Sequence, residues 1–168
     1  QAQIQWEGLD ITLLDTPGHV DFSAEMERTL QVLDYALLVI SGSDGVQGHV
    51  QTLWRLLGEY GIPVFLFINK MDQPGTDRDR LLRELQSKLD GSCQEFGPET
   101  GRVSSAEKGS AEYLEELSMC DEALLEEYLE TGTLEDASLA RAIAGRRLFP
   151  CYFGSALRLD GVEQLLKG

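Results

Sequence analysis

No run of apolar residues in this 168-residue chain approaches the roughly 20 needed to cross a bilayer, so no membrane association is expected. The opening residues are polar and lack a basic start, so no secretory leader is expected either. Histidine occurs twice and cysteine three times, with no CxxC pair and no Cys–His cluster. That scarcity speaks against a zinc site and for free thiols in a reducing cytosol. Cations are the scarcer charge: 14 Lys and Arg stand against 29 Asp and Glu, for a net charge of −15. Phosphate binding runs on Lys and Arg, so the chain is not expected to coat nucleic acid or to bind DNA sequence-specifically. There is no internal repeat. What is present is an apolar fraction of 42%, enough at this length for one ordinary domain with a real core.

The patterning then alternates between two periods. "QIQW-EG-LDITLLD" alternates apolar and polar residues about a Glu-Gly pair and predicts a hairpin turning at Gly8. Phe22, Met26, Leu30 and Leu33 recur at helical spacing, with Asp21 as the N-cap. "YALLVIS" (35–41) is a continuous apolar run of strand length, which predicts a strand buried on both faces. Val50, Leu53, Trp54 and Leu57 line a helix stopped by Gly61 and Pro63, and "VFLFIN" (64–69) is another buried strand. Strands alternating with helices in this way predict an α/β fold, a mostly parallel sheet with helices on both faces. Leu81, Leu82, Leu85 and Leu89 mark a further helix, and the glycine-rich stretch 90–110 reads as a flexible connection. From Glu112 to Asp136 there are ten acids and no base, yet Leu114, Leu117, Leu124 and Tyr128 hold one apolar stripe. This predicts an amphipathic helix with an acidic outer face. A shorter helix near 137–144, a strand at "LFPCYF" (148–153) and a closing helix at "DGVEQLLK" complete the pattern.

Open parallel sheets hold ligands beyond the carboxyl ends of their strands. Three strand ends here carry unusual polar residues. The first is Asp15, Thr16, Pro17, Gly18 and His19. A strand-end carboxylate can hold Mg²⁺, which keeps most of its water shell. Gly18 lets a backbone N–H approach a phosphate closely, and His19 can position a water for attack on phosphorus. The simpler alternative is a tight turn in which Asp15 caps the next helix. The second is Asn69, Lys70, Met71 and Asp72. An Asp72 carboxylate can accept from both N1–H and the 2-amino group of guanine, donors that adenine lacks in that place. Asn69 can bond the base edge and tie neighbouring loops, while the Lys70 stem lies along the base. The plain alternative is a polar turn capped by Asp72. The third, "FGSAL", would turn the Ser155 and Ala156 N–H groups toward the O6 acceptor of guanine, although Gly-Ser-Ala is also a common turn.

Together "DTPGHVDF", "GVQGHVQTLWRLLGEYGIPVFLFINKMD" and "CYFGSALRLDGV" resemble the translational GTPases, elongation factor G and its relatives. "MCDEALLEEYLETGTL" and "LFPCYFGSA" are most similar to the tetracycline-resistance ribosomal protection proteins of that group. The resemblance runs from about Ile4 to Lys167. It implies a P-loop NTPase-type G domain in a cytoplasmic protein that hydrolyses GTP with Mg²⁺ on the ribosome and, in a protection protein, removes tetracycline from it. It implies that Asp15 reaches Mg²⁺ through water, that Gly18 touches the γ-phosphate, and that His19 is the catalytic histidine. GTP or GDP would then be bound by residues 15–19, Asn69, Lys70, Met71, Asp72, Ser155, Ala156 and Leu157. An ordinary elongation factor G-type translocase and a guanine-nucleotide-binding module that never hydrolyses stay open as alternatives.

The chain departs from that family in one respect: it contains no GxxxxGK[ST]. In the family this phosphate loop precedes the opening motif, so the chain is expected to be an N-terminally truncated, partial GTP-binding domain, inactive alone. Residues 1–72 and 146–168 would form its nucleotide-site core, and 73–145 a flexible loop and helical insertion.

Overall fold

The computed structural model describes residues 1–16, 28–97 and 111–167. Strands β1 (Ala2–Trp6) and β2 (Leu9–Leu13) pair antiparallel, with Ile4 opposite Ile11. The two residues between them, Glu7 and Gly8, both take positive φ, 46° and 87°. Positive φ at both central positions matches the right-handed twist of the flanking strands, so the expected hairpin forms. The helix expected to start at Asp21 lies largely outside the described residues, Phe22 and Met26 included. Its end is helical at 28–30, and Leu30 is buried there.

Strands β3 (Ala36–Ser41), β4 (Val64–Asn69), β5 (Cys93–Glu95) and β6 (Phe149–Phe153) form an all-parallel sheet in the order β3-β4-β6-β5. The helices are α1 (Gly48–Glu59), α2 (Arg78–Lys88), α3 (Ala111–Ser118), α4 (Glu122–Thr131), α5 (Asp136–Ala144) and α6 (Val162–Lys167). The α/β class read from the alternating periods is the one observed. Among the described residues, no helix is long and apolar enough to cross a membrane.

Register explains where the core sits. Leu38, Leu66 and Cys151 lie in one row across the sheet, and Ile40, Ile68 and Phe153 in the next. Alternate strand residues share a face, and this face packs into one apolar cluster with Val50 and Leu57 of α1 and Leu81 and Leu85 of α2. A second cluster joins Tyr113, Leu114 and Leu117 of α3 to Leu124 of α4, Leu139 and Ala142 of α5, and Leu148. The second cluster is tied to the sheet through Phe96, whose ring lies 6.4 Å from Tyr113 and 6.2 Å from Tyr152 of β6, and through the Tyr113 hydroxyl, which donates to the Glu95 carbonyl. The Arg146 guanidinium lies 5.3 Å over the rings of both Trp54 and Phe149 and donates to the Ile62 carbonyl. It thereby fastens the end of α1 to the start of β6.

Three local expectations need correction. β3 is buried on one face only: Leu38 and Ile40 are inside, but Leu37 is 48% and Val39 55% exposed. Among the described residues the strand lies at the edge of its sheet, and an unbroken apolar run there does not require burial on both sides. The stretch 90–110 is not all connection, because Cys93–Glu95 forms β5 beside β6. Three residues are too few to show a period, and Gln94 and Glu95 disguise them as loop. The acidic helix is two helices. The Asp121 carboxylate accepts from the Ala123 and Leu124 N–H groups and starts α4 anew, a cap that competes with helix continuation.

Leu66, fully buried in β4, and Val32, exposed, bracket the cost of truncation. Leu66→Ala should lower stability by about 2–5 kcal/mol through lost burial and a cavity. Val32→Ala should change it by less than about 0.5 kcal/mol. Urea denaturation midpoints of the two variants check both values.

Candidate functional site

β3, β4 and β6 run in the same direction, so their carboxyl ends open on one rim, with Ser41 level with Asn69 and Ile68 level with Phe153. The loops beyond these ends are then cross-linked. Gly154 N–H donates to the Ile68 carbonyl and Met71 N–H to the Gly154 carbonyl, both at 3.0 Å. Asn69 Oδ1 accepts from its neighbour Lys70 at 2.8 Å and from Ala156, across the rim, at 2.9 Å. Gly42, just past β3, donates to the Asn69 carbonyl at 2.7 Å. A Cβ on Gly42 would lie 2.8 Å from Met71 Sδ and 3.1 Å from the Asn69 carbonyl oxygen, so a side chain there would have to displace the Met71 thioether. Lys70 is held at φ 64°, a left-handed conformation that costs a side-chain-bearing residue on the order of 1–2 kcal/mol. The surrounding hydrogen bonds over-determine it.

Asp72 faces the loop that follows β6. Its carboxyl is held below the ordinary aspartate range, first by a hydrogen bond with the Ser155 hydroxyl and then by weaker help from its own backbone and the Arg158 guanidinium, against some burial. Arg158 Nε lies 3.5 Å from Asp72 Oδ2. The loop is folded tightly enough to make these contacts. Ser155 and Asp160 exchange backbone bonds of 3.0 and 3.1 Å, closing a single 3₁₀ turn, Ala156–Arg158, that ends on Leu159 at φ 58°. A Cβ on Gly154 would lie 2.1 Å from the Asp160 carbonyl oxygen. Gly161 combines φ 77° with a Cβ position 2.6 Å from the Phe153 carbonyl oxygen. Neither position has room for a side chain.

The structure therefore brings Asn69, Lys70, Met71 and Asp72 together with Ser155, Ala156 and Leu157. Two donors are engaged differently from the reading of the sequence. The Ser155 and Ala156 N–H groups, aimed there at a purine O6, donate to the Asp160 carbonyl and to Asn69 Oδ1. The Leu157 N–H is the next donor along the turn, and its side chain is 91% exposed. Asp15 and Thr16 are exposed just past the end of β2, on the hairpin, which is a separate two-stranded sheet. Pro17, Gly18 and His19 lie outside the described residues. Among the described residues no group of three or more His, Cys, Asp or Glu side chains is gathered around a metal position. Arg158, Gly42 and Gly161 were not singled out in the sequence. Only the Ser155–Asp160 closure, invisible in a linear string, returns Arg158 to the Asp72 carboxylate.

An open parallel α/β sheet whose second and last strand ends interlock in this way is of the class that holds ligands beyond its carboxyl edge. The chain belongs to the family of the elongation factor Tu GTP binding domain, which matches residues 1–168. It is 35% identical over 173 residues to the tetracycline resistance protein TetO of Streptococcus mutans, and 36% identical over 175 residues to TetM of Ureaplasma urealyticum. In each case the alignment covers 99% of this chain and 27% of the relative, so the chain spans about a quarter of their length. It is also similar to a crystal structure from Thermus thermophilus, with a TM-score of 0.76 and 26% identity, covering 99% of this chain and 30% of that one.

Two outcomes test this geometry. The Asp72 carboxyl should titrate below an ordinary aspartate in a carbon-detected NMR titration, and Ser155→Ala should raise it more than loss of Arg158 does. Because the folded-state value is the depressed one, the contact is present above the ordinary aspartate range and is lost as pH falls through the lowered value. Gly154→Ala should open the rim: the amides of Met71 and Ala156 should lose hydrogen-exchange protection while those of β4 keep theirs.

Proposed function

We propose that this chain is the GTP-binding and hydrolysing domain of an elongation factor G-like ribosomal protection protein, one that acts on the ribosome in the cytoplasm. The observation that carries the reading is the joined rim: Asn69–Asp72 and Ser155–Leu157 meet through the Asn69–Ala156 bond and the backbone bond from Met71 to Gly154. Guanine offers N1–H and its 2-amino group to Asp72. Its O6 accepts from the Leu157 N–H and from the Ala156 N–H, which Asn69 Oδ1 shares. The Lys70 stem and the exposed Leu157 side chain cover the two faces of the base. Membership of the family and the TetO and TetM likeness support the same assignment.

At the other end of the nucleotide, Asp15 would hold Mg²⁺ through water. A single exposed carboxylate fits an ion that keeps most of its own waters, and bound Mg²⁺ would supply charge neutralisation for phosphoryl transfer. Gly18 would approach the γ-phosphate and His19 would position the attacking water. The chain has no GxxxxGK[ST], so it lacks the ring of N–H groups and the lysine that grip the β- and γ-phosphates.

Asp72→Asn in the full-length protein should weaken GTP binding about 10–100-fold, the range for one or two hydrogen bonds to a charged group. ATP affinity should stay where it was. Unchanged GTP affinity removes Asp72 from the base site. The isolated 168-residue chain should show no turnover and only weak binding; micromolar GTP affinity by calorimetry would contradict that part of the proposal.

A further inference from the structure

Arg158 has no part in the scheme above, yet it lies against the residue on which base selection turns. It is the only base between Arg147 and Lys167, and it stands on the 3₁₀ turn that the Ser155–Asp160 closure holds against the β4 loop. Its side chain is 68% exposed, whereas that of Asp72 is 22% exposed. The carboxylate is therefore the covered partner, and the guanidinium is the one free to move.

The chemistry of the two occupants is the same. Guanine presents a flat edge with an N–H beside an NH₂, and a guanidinium presents a flat edge with Nε–H beside an Nη H₂. A carboxylate has accepting sites enough for more than one donor, but a guanine edge paired to both oxygens needs Oδ2, the oxygen that Arg158 Nε approaches at 3.5 Å, so the two compete for it. We propose that Arg158 is an internal competitor at the base pocket: it occupies Asp72 when no base is present and must swing into water before guanine is read, so it lowers guanine affinity and narrows the preference over adenine. This rests on the assignment of Asp72 as the guanine-selecting carboxylate.

Two consequences follow from the geometry. Arg158 competes with guanine, so it weakens guanine-nucleotide binding rather than strengthening it. It also keeps the Asp72 carboxylate paired in the empty site, so a nucleotide that cannot offer the matching donor edge leaves the arginine in place. Adenine is such a nucleotide. The competition is modest, because the pair is exposed on the arginine side and pairs of that kind are weak.

Calorimetry on the full-length protein tests this, with GDP and ADP as ligands and wild type, Arg158→Gln and Asp72→Asn as proteins. At low salt, Arg158→Gln should bind GDP about 2–5-fold more tightly than wild type, the fold-change that loss of an exposed ion pair allows. Affinity for ADP should not change. The gap for GDP should close as salt rises toward about 1 M, where the Debye length falls to about 3 Å. A merely structural arginine would give weaker GDP binding in the variant at every salt concentration. If Asp72→Asn loses its preference for guanine while Arg158→Gln binds GDP no better than wild type, the competition proposed for Arg158 is wrong and the base-site assignment survives. If Asp72→Asn keeps its preference, the assignment of Asp72 fails and the role of Arg158 falls with it.

Discussion

β4 and β6 are separated in the chain by α2, β5 and three further helices, yet Leu66, Phe67 and Ile68 lie level with Cys151, Tyr152 and Phe153. Closing so long a loop costs only slowly more entropy than closing a short one, and the buried rows on either side offset it. Once the two strands run parallel and in register, their ends are neighbours, and the Asn69 amide can reach Ala156. Shift the register by one residue and the apolar rows turn outward, while Gly154 loses the Ile68 carbonyl. The joined rim is a by-product of that register.

Local strain and close approach concentrate at the same place. Lys70 holds a left-handed backbone, Leu159 does the same at the far end of the opposing turn, and Gly42, Gly154 and Gly161 fill positions where a Cβ would strike a neighbour. Such features persist where the surrounding bonds over-determine them, and they are found where a backbone must be preset for a partner. Here the bonds from Gly42 to Asn69, from Met71 to Gly154 and from Ala156 to Asn69 do the fixing.

Much of this was legible in the order of residues. Apolar runs of strand length and leucines at helical spacing located every strand and helix of the main sheet except β5, whose three residues carry no period. The break at Asp121 was also hidden, because the apolar stripe continues across it: Leu117 and Leu124 pack in one cluster although they belong to different helices. Burial proved harder than secondary structure. Leu37 and Val39 read as core, but whether a strand's second face is covered depends on its place in the sheet, which no local pattern encodes. At the rim, the NKMD and GSA loops do meet. Which donors those loops keep free could not be read, because Ser155 and Ala156 spend theirs on residues fixed only by tertiary closure.

The second apolar cluster gathers α3, α4 and α5 around their own leucines and touches the sheet chiefly through Phe96 and Leu148. Its entry and exit are both clamped beside β6, one by β5 and the other by the strand itself. Changes in the size of this appendage can be absorbed within it, so its acidic exterior can be lengthened or trimmed while the rim of Asn69–Asp72 and Ser155–Leu157 stays in place. For the same reason the outward side of α4, where Leu129 is exposed, is a suitable place to graft a fluorophore or an affinity handle.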